Sequence, residues 1–371
     1  MDNTTEKEMF KKIDFFAANE LKALEDFKSK GGKVAALFCK TFPVSLLSGL
    51  GVWPVRIICG ATEEAEGASE QIVRPDVCSY CKTLIGNFIQ KSAIHKHVDF
   101  IVGLITCDQM RRTLERLSTD LDLPVFPVQL PSTNSTQAED YFILGIQNAM
   151  DNIAGYLGNT IDFNIVREQE QLRVESAKIV SDLMWKGSVS PLIMHRISHL
   201  FTWSRPLQFL EFIKDISPAI STYTPRFSLI TIGSALCEED DTMARIVLER
   251  NIGLIPLHCT GLTMVDGMQS IENIADKEVL PALSRIYFRM PACIRTRPNT
   301  GVFDRIRETL QRTGAKGIIL KTLTFCDLWY TEKERIKKSF GVPVLVYNAG
   351  YGEGESERIK TRLETFLDTV V

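Results

Sequence analysis

No apolar run in this 371-residue sequence approaches the roughly 18 residues that a bilayer span needs. The opening stretch, MDNTTEKEMFKKIDFF, is polar and charged and lacks the apolar core of a secretory signal. These absences predict a cytoplasmic protein with no membrane partner. A strong charge of one sign is missing too. The net charge of −3 gives no global attraction to nucleic acid. The basic pairs Arg111-Arg112 and Lys337-Lys338 sit among acidic residues and read as solvated helix faces. No G-x-x-x-x-G-K-[ST] motif occurs, and the glycine-rich stretch 350–354 lacks G-x-G-x-x-G spacing. ATP hydrolysis, where it is needed, must come from another protein.

What is present is ordinary globular material. Apolar residues make up 44% and charged residues 24%, close to a soluble average, and the length suits two domains of roughly 100–200 residues each. Residues 1–30 carry Met9, Phe10, Ile13, Phe16, Leu21, Leu24 and Phe27 near helical spacing and end at Gly31-Gly32. Short β-rich runs follow: KVAALF, PVRIIC, DFIVGLIT and LPVFPVQLP. Helical stretches separate most of them, which predicts a parallel α/β domain over 31–136. Residues 137–224 are long and periodic and read as a helical connector. RFSLITIG, IGLIPLH, GIILKTLTF and VPVLVYN then predict a second α/β domain over 225–371, closed by an amphipathic helix.

Nine cysteines in a chain of this size do not suggest a disulfide framework, because the number is odd and no secretory leader is seen. Their placement is more informative. Cys107 follows the run FIVGLIT and precedes DQMRRTLERL, a predicted helix. Cys326 follows GIILKTLTF and precedes DLWYTEKERIKKSF, also predicted as a helix. Cys78 opens a third, CSYCKTLIGNFIQK. Helix N-termini offer free N–H groups and a positive dipole end, which favour the thiolate that binds metal. Open α/β sheets bind ligands at the carboxyl ends of their strands. The plain alternative is core packing, the commonest fate of a free cysteine. Cys39, Cys59 and Cys237 are assigned to it, and spacing alone names no metal.

Other pairings were weighed. Cys78-x-x-Cys81 matches a thioredoxin-like redox motif, but its surroundings do not. His195 and His199 stand four apart, as zinc-binding histidines do on a helix, yet a solvent-facing helix accounts for them more simply. Arg295, Arg297 and Lys321 are loose candidates for contacting phosphate groups, with a surface role the simpler reading for each.

VCSYCKTLIG (77–86), TCDQMRR (106–112) and TFCDLW (324–329) resemble the three cysteine-bearing segments of the 2-hydroxyacyl-CoA dehydratase and benzoyl-CoA reductase family. CKTFPVSLLSGLGVWPVRI (39–57), SLITIGSALCEEDDTMARIVLERNIGLIPL and the closing GVPVLVYNAGYGEGESERIKTRLETFLD are similar to further family segments, in the same order. The resemblance implies an α/β fold of two Rossmann-like parallel-sheet domains with a helical connector. It implies that Cys78, Cys107 and Cys326 bind a [4Fe–4S] cluster in the cleft between them. It also implies a second homologous subunit, in a hetero- or homodimer, and a separate ATP-hydrolysing iron–sulfur activator that delivers a low-potential electron. The substrate would be an acyl-CoA, dehydrated through a ketyl radical or, in the reductase branch, reduced in its aromatic ring. Three thiolates would leave one iron open to a substrate oxygen.

One departure is clear. The family carries an acidic residue soon after the N-terminal proline, where this chain has Pro43-Val44-Ser45. That leaves open a non-catalytic partner subunit. Cys259 and Cys293 resemble positions in the related double-cubane proteins, which reduce small molecules with an [8Fe–9S] cluster. Under that alternative Cys81, Cys259 and Cys293 would join the ligands.

Overall fold

The computed structural model describes residues 3–351 and 357–370. Two four-stranded parallel sheets dominate it. The first is built from β1 (Lys33–Leu37), β2 (Val52–Arg56), β3 (Phe100–Ile105) and β4 (Val125–Gln129), in the order β2-β1-β3-β4. The second is built from β5 (Ser228–Gly233), β6 (Gly253–Pro256), β7 (Ile318–Leu323) and β8 (Val344–Ala349), in the order β6-β5-β7-β8. The two orders are the same topology. In each sheet the chain reverses direction of travel beside its first strand, which is where doubly wound sheets open a ligand crevice. The two Rossmann-like α/β units expected from the sequence are therefore present.

Burial on both faces explains the near-continuous apolar strands. On one face of the first sheet, Ala35, Leu37, Phe100 and Val102 pack with Phe142 and Ile146. On the other, Val34, Ala36 and Ile101 meet Leu24, Leu84 and Leu114. Full burial of each large apolar side chain contributes about 1.5–3 kcal/mol. Leu283, from the helix Asp276–Phe288 late in the chain, also joins the core of the first sheet.

Three of the helices in the middle start at a side-chain cap. Ser135 accepts a hydrogen bond from Ala138 N at 3.2 Å ahead of the helix Thr136–Leu157. Asp162 accepts from Asn164 N at 2.9 Å ahead of Phe163–Lys186. Ser190 and Pro191 open Pro191–Trp203, and Pro206 opens Pro206–Ile220. Such caps are worth about 1 kcal/mol each. Val180, Ile197 and Ile213 from these helices line the inner face of the second sheet with Ile230 and Ile318.

Three expectations are corrected. The stretch after Cys326 is two short helices, Asp327–Tyr330 and Lys333–Ser339, because the first turns out at Thr331 before Lys333 restarts it. The helix bearing His195 and His199 does not face solvent. His199 is 2% exposed, since that helix is packed between the N-terminal helix and the second sheet. Lys321 has no surface role either: it is fully buried on β7 and paired with Asp240.

Candidate functional site

The loops at the carboxyl ends of the two sheets meet. Cys39, Cys59 and Cys107 follow β1, β2 and β3, and Cys237, Cys259 and Cys326 follow β5, β6 and β7. Hydrogen bonds stitch the facing loops together. Glu239 accepts from Gly60 N at 2.8 Å, Tyr351 N donates to Glu66 at 3.1 Å, and Arg56 Nη1 donates to the carbonyl of Cys259 at 2.7 Å. The shared topology thus sets two cysteine-bearing strand ends opposite each other.

Cys78, Cys107 and Cys326 come together there. Cys78 caps the helix Ser79–Gln90, Cys107 caps Asp108–Asp120, and Cys326 caps Asp327–Tyr330. Gln109 holds the three segments. Its Oε1 accepts from Cys78 N at 2.5 Å, and its Nε2 donates to the carbonyl of Phe325 at 3.0 Å. Ser79 N also donates to the carbonyl of Thr324, at 3.3 Å. Phe325 adopts φ 60°, a left-handed conformation that costs a non-glycine residue about 1–2 kcal/mol. That turn presents its carbonyl to Gln109. Gly86 keeps the Cys78 helix in place, because a Cβ there would lie 1.6 Å from the Ala65 carbonyl oxygen.

The thiols of Cys78 and Cys326 lie within interaction range of each other. Cys326 favours a thiolate on Cys78, but contact with Cys81 and burial outweigh it and hold the Cys78 thiol high. Proximity to Cys78, then burial, pushes Cys326 up as well. Burial raises Cys107, opposed by the Met110 N–H that reaches its sulfur at 3.4 Å. Without a metal, all three prefer the neutral thiol. Metal binding would have to displace their protons.

Among the described residues, no three His, Cys, Asp or Glu side chains converge tightly enough to hold a single metal ion. A cubane makes a different demand: each thiolate holds a different iron, so its ligands border one space rather than share one ion. Three thiols from three helix starts fit that donor set.

Of the additional candidates, only Cys81 touches this group, through Cys78. Cys259 and Cys293 stand elsewhere, with Cys39, within electrostatic reach of Lys40. Cys39, two residues beyond the end of β1, also packs against the core of the first sheet, as the sequence leads one to expect. Burial lowers the pKa of Lys40 and raises that of Cys259. Tyr80 lies between the two thiol groups. Its hydroxyl donates to the carbonyl of Phe38 at 3.1 Å, and its ring meets Tyr351 edge-on at 6.3 Å.

Over residues 39–370 the chain matches the family described as 2-hydroxyglutaryl-CoA dehydratase, D-component. The chain belongs to that family. No curated protein matches it significantly. The segments bearing Cys78, Cys107 and Cys326 all fall inside the matched residues. In the N-terminal segment, at Pro43-Val44-Ser45, a carboxylate arrives from elsewhere. Ser45 Oγ donates to Glu170 at 2.8 Å, and the Tyr287 hydroxyl donates to the same carboxyl at 3.2 Å. Glu170 is fully buried, which raises its pKa. Among the described residues, no helix is long and apolar enough to cross a membrane.

Proposed function

We propose that this dehydratase-type D-component is an iron–sulfur subunit in which Cys78, Cys107 and Cys326 hold a [4Fe–4S] cluster. The observation that carries the reading is the Gln109 bridge, which ties the Cys78 and Cys326 segments to the helix that Cys107 caps. When bound, the cluster would supply one-electron chemistry for removing the hydroxyl of a 2-hydroxyacyl-CoA. The electron would come from an ATP-hydrolysing activator, and a second homologous subunit would complete the enzyme in the cytoplasm.

The chain's own residues support thiolates in three ways. Met110 N–H donates to Cys107, and the Ser234 hydroxyl lies 3.9 Å from the Cys326 sulfur. Helix starts add positive dipole ends. Tyr80 and Tyr351, both within the apolar packing around the cleft, exclude water from its inner side. Glu170 is held by Ser45 and Tyr287; in the alternative of a non-catalytic subunit, dehydration would fall to the partner.

A second reading rests on the separate thiol group of Cys39, Cys259 and Cys293. It makes the cofactor an [8Fe–9S] double-cubane cluster and the activity reduction of a small molecule. Anaerobic iron and sulfide analysis with EPR of the reduced protein decides. About four irons per chain support the first reading and about eight the second. No iron after reconstitution would sink both.

A further inference from the structure

A separate cavity of about 310 Å³ opens beside the second thiol group, lined by Lys40, Asn134, Thr136, Arg289, Cys293 and Arg295 among others. Its electrostatics are lopsided. Lys40 is 9% exposed, and its ammonium has one hydrogen bond, to the carbonyl of Pro291 at 3.2 Å. No carboxylate pairs with Lys40 or Arg295 among the described residues. The Nη1 of Arg295 is spent on the carbonyl of Pro131, and its Nε is buried without a partner. The one acid at the wall, Glu139, is already held by Arg289 and by Arg285 from outside. The helix Thr136–Leu157 also begins here. Its cap at Ser135 satisfies Ala138 N, which leaves the first N–H groups, that of Thr136 included, without an intrahelical bond.

A buried cation with no counter-charge is costly to a fold. One such cation, Lys40, beside the half-buried Arg295 with its orphaned Nε, on one polar cavity at the carboxyl end of a parallel sheet, points to a missing anion. Lys40 supplies a point charge, Arg295 a guanidinium, and the helix start oriented N–H groups. That combination suits a tetrahedral dianion. We propose that this cavity is a phosphoryl-anion subsite, with Lys40 and Arg295 as its ligands. The site itself does not depend on the cluster. Its natural occupant has two sources of the same chemistry: the diphosphate of coenzyme A, which rests on the acyl-CoA reading above, or free phosphate.

The test is calorimetric titration of the full chain with inorganic pyrophosphate, for the wild type, Lys40→Met and Arg295→Gln. The wild type should bind with a dissociation constant below about 1 mM. Each variant should bind at least about tenfold more weakly. Lys40→Met keeps the length of the side chain and removes an uncompensated buried charge, so the ligand-free variant should melt no lower than the wild type. Equal affinity of the wild type and Lys40→Met, or no binding by the wild type, overturns the subsite. Coenzyme A is then added against bound pyrophosphate, with pantetheine, which lacks the phosphates, as control. Displacement by coenzyme A alone supports the subsite with the thioester as its source. Failure to displace supports it with free phosphate as the source and removes the acyl-CoA assignment from this cavity. With a [4Fe–4S] cluster on Cys78, Cys107 and Cys326, iron content should be the same in wild type and Lys40→Met, so failure of anion binding with full iron overturns the subsite and leaves the cysteine assignment standing.

Discussion

Gln109 accepts a hydrogen bond from the backbone N–H of Cys78 at 2.5 Å, across 31 residues of sequence. Its other end grips the Phe325 carbonyl, beside Cys326. One amide therefore sets the spacing of two thiols while its own helix carries the third. Gln109→Leu removes both bonds at a cost of about 1–3 kcal/mol. The folded protein should survive, but a reconstituted cluster should be lost severalfold faster to a chelator. A release rate equal to that of the wild type would show that Gln109 does not organise the ligands.

Cys107→Ala should abolish iron binding while leaving the far-UV circular dichroism unchanged. Cys293→Ala, in the second thiol group, discriminates the two readings. With a [4Fe–4S] cluster on the first group, its iron content stays near that of the wild type. With a double cubane, it falls. Full iron in Cys107→Ala would remove that residue from the ligand set.

Lys321 and Asp240 form an ion pair in the interior, with side chains 1% and 4% exposed. Asp240→Asn leaves the ammonium buried without its partner and should cost about 3–5 kcal/mol in urea denaturation. Lys321→Met combined with Asp240→Leu should recover most of that loss, because it removes both desolvation penalties. A double variant no more stable than Asp240→Asn would mean that the pair does more than neutralise itself.

Burial lowers the His95 imidazole to about 4. Its Nδ1 donates to the Ser92 carbonyl at 3.2 Å, and its ring stands edge-on to Phe88 at 5.0 Å. The unfolded chain binds this proton near pH 6.5. Between that value and about 4 the unfolded state holds more protons, so stability falls as the pH drops through this window. The loss is roughly 3 kcal/mol. Denaturation curves from about pH 7 down to about pH 4.5 should show the decline, and His95→Gln should flatten it. An unchanged slope in the variant would assign the acid sensitivity elsewhere, for example to His258, which is lowered in the same way.

Much of this architecture was legible because its causes are local. Short β-rich runs marked the strands to within a few residues, while the caps Ser135, Asp162 and Ser190 inside the helical middle came from the structure. Cys78, Cys107 and Cys326 were readable at helix starts from local pattern too. The break after Tyr330 was not visible, since the charged run 331–338 has uniform helical character. His199 and Lys321 lie inside although polarity alone reads as exposure. Each is buried by elements far away in sequence.

The sequence by itself determined the order of strands and helices, the cysteines at strand ends and the family. These follow from short-range periodicity, capping and motif order. Only the tertiary structure decided which cysteines meet. Two sheets of the same topology face each other through their carboxyl ends, and the packing of the helical middle fixes their distance. That placement joins Cys78 to Cys326, sends Cys259 and Cys293 to Lys40, and delivers Glu170 to Ser45. No local pattern encodes such pairings, because each depends on side chains separated by more than a hundred residues meeting across a packed core.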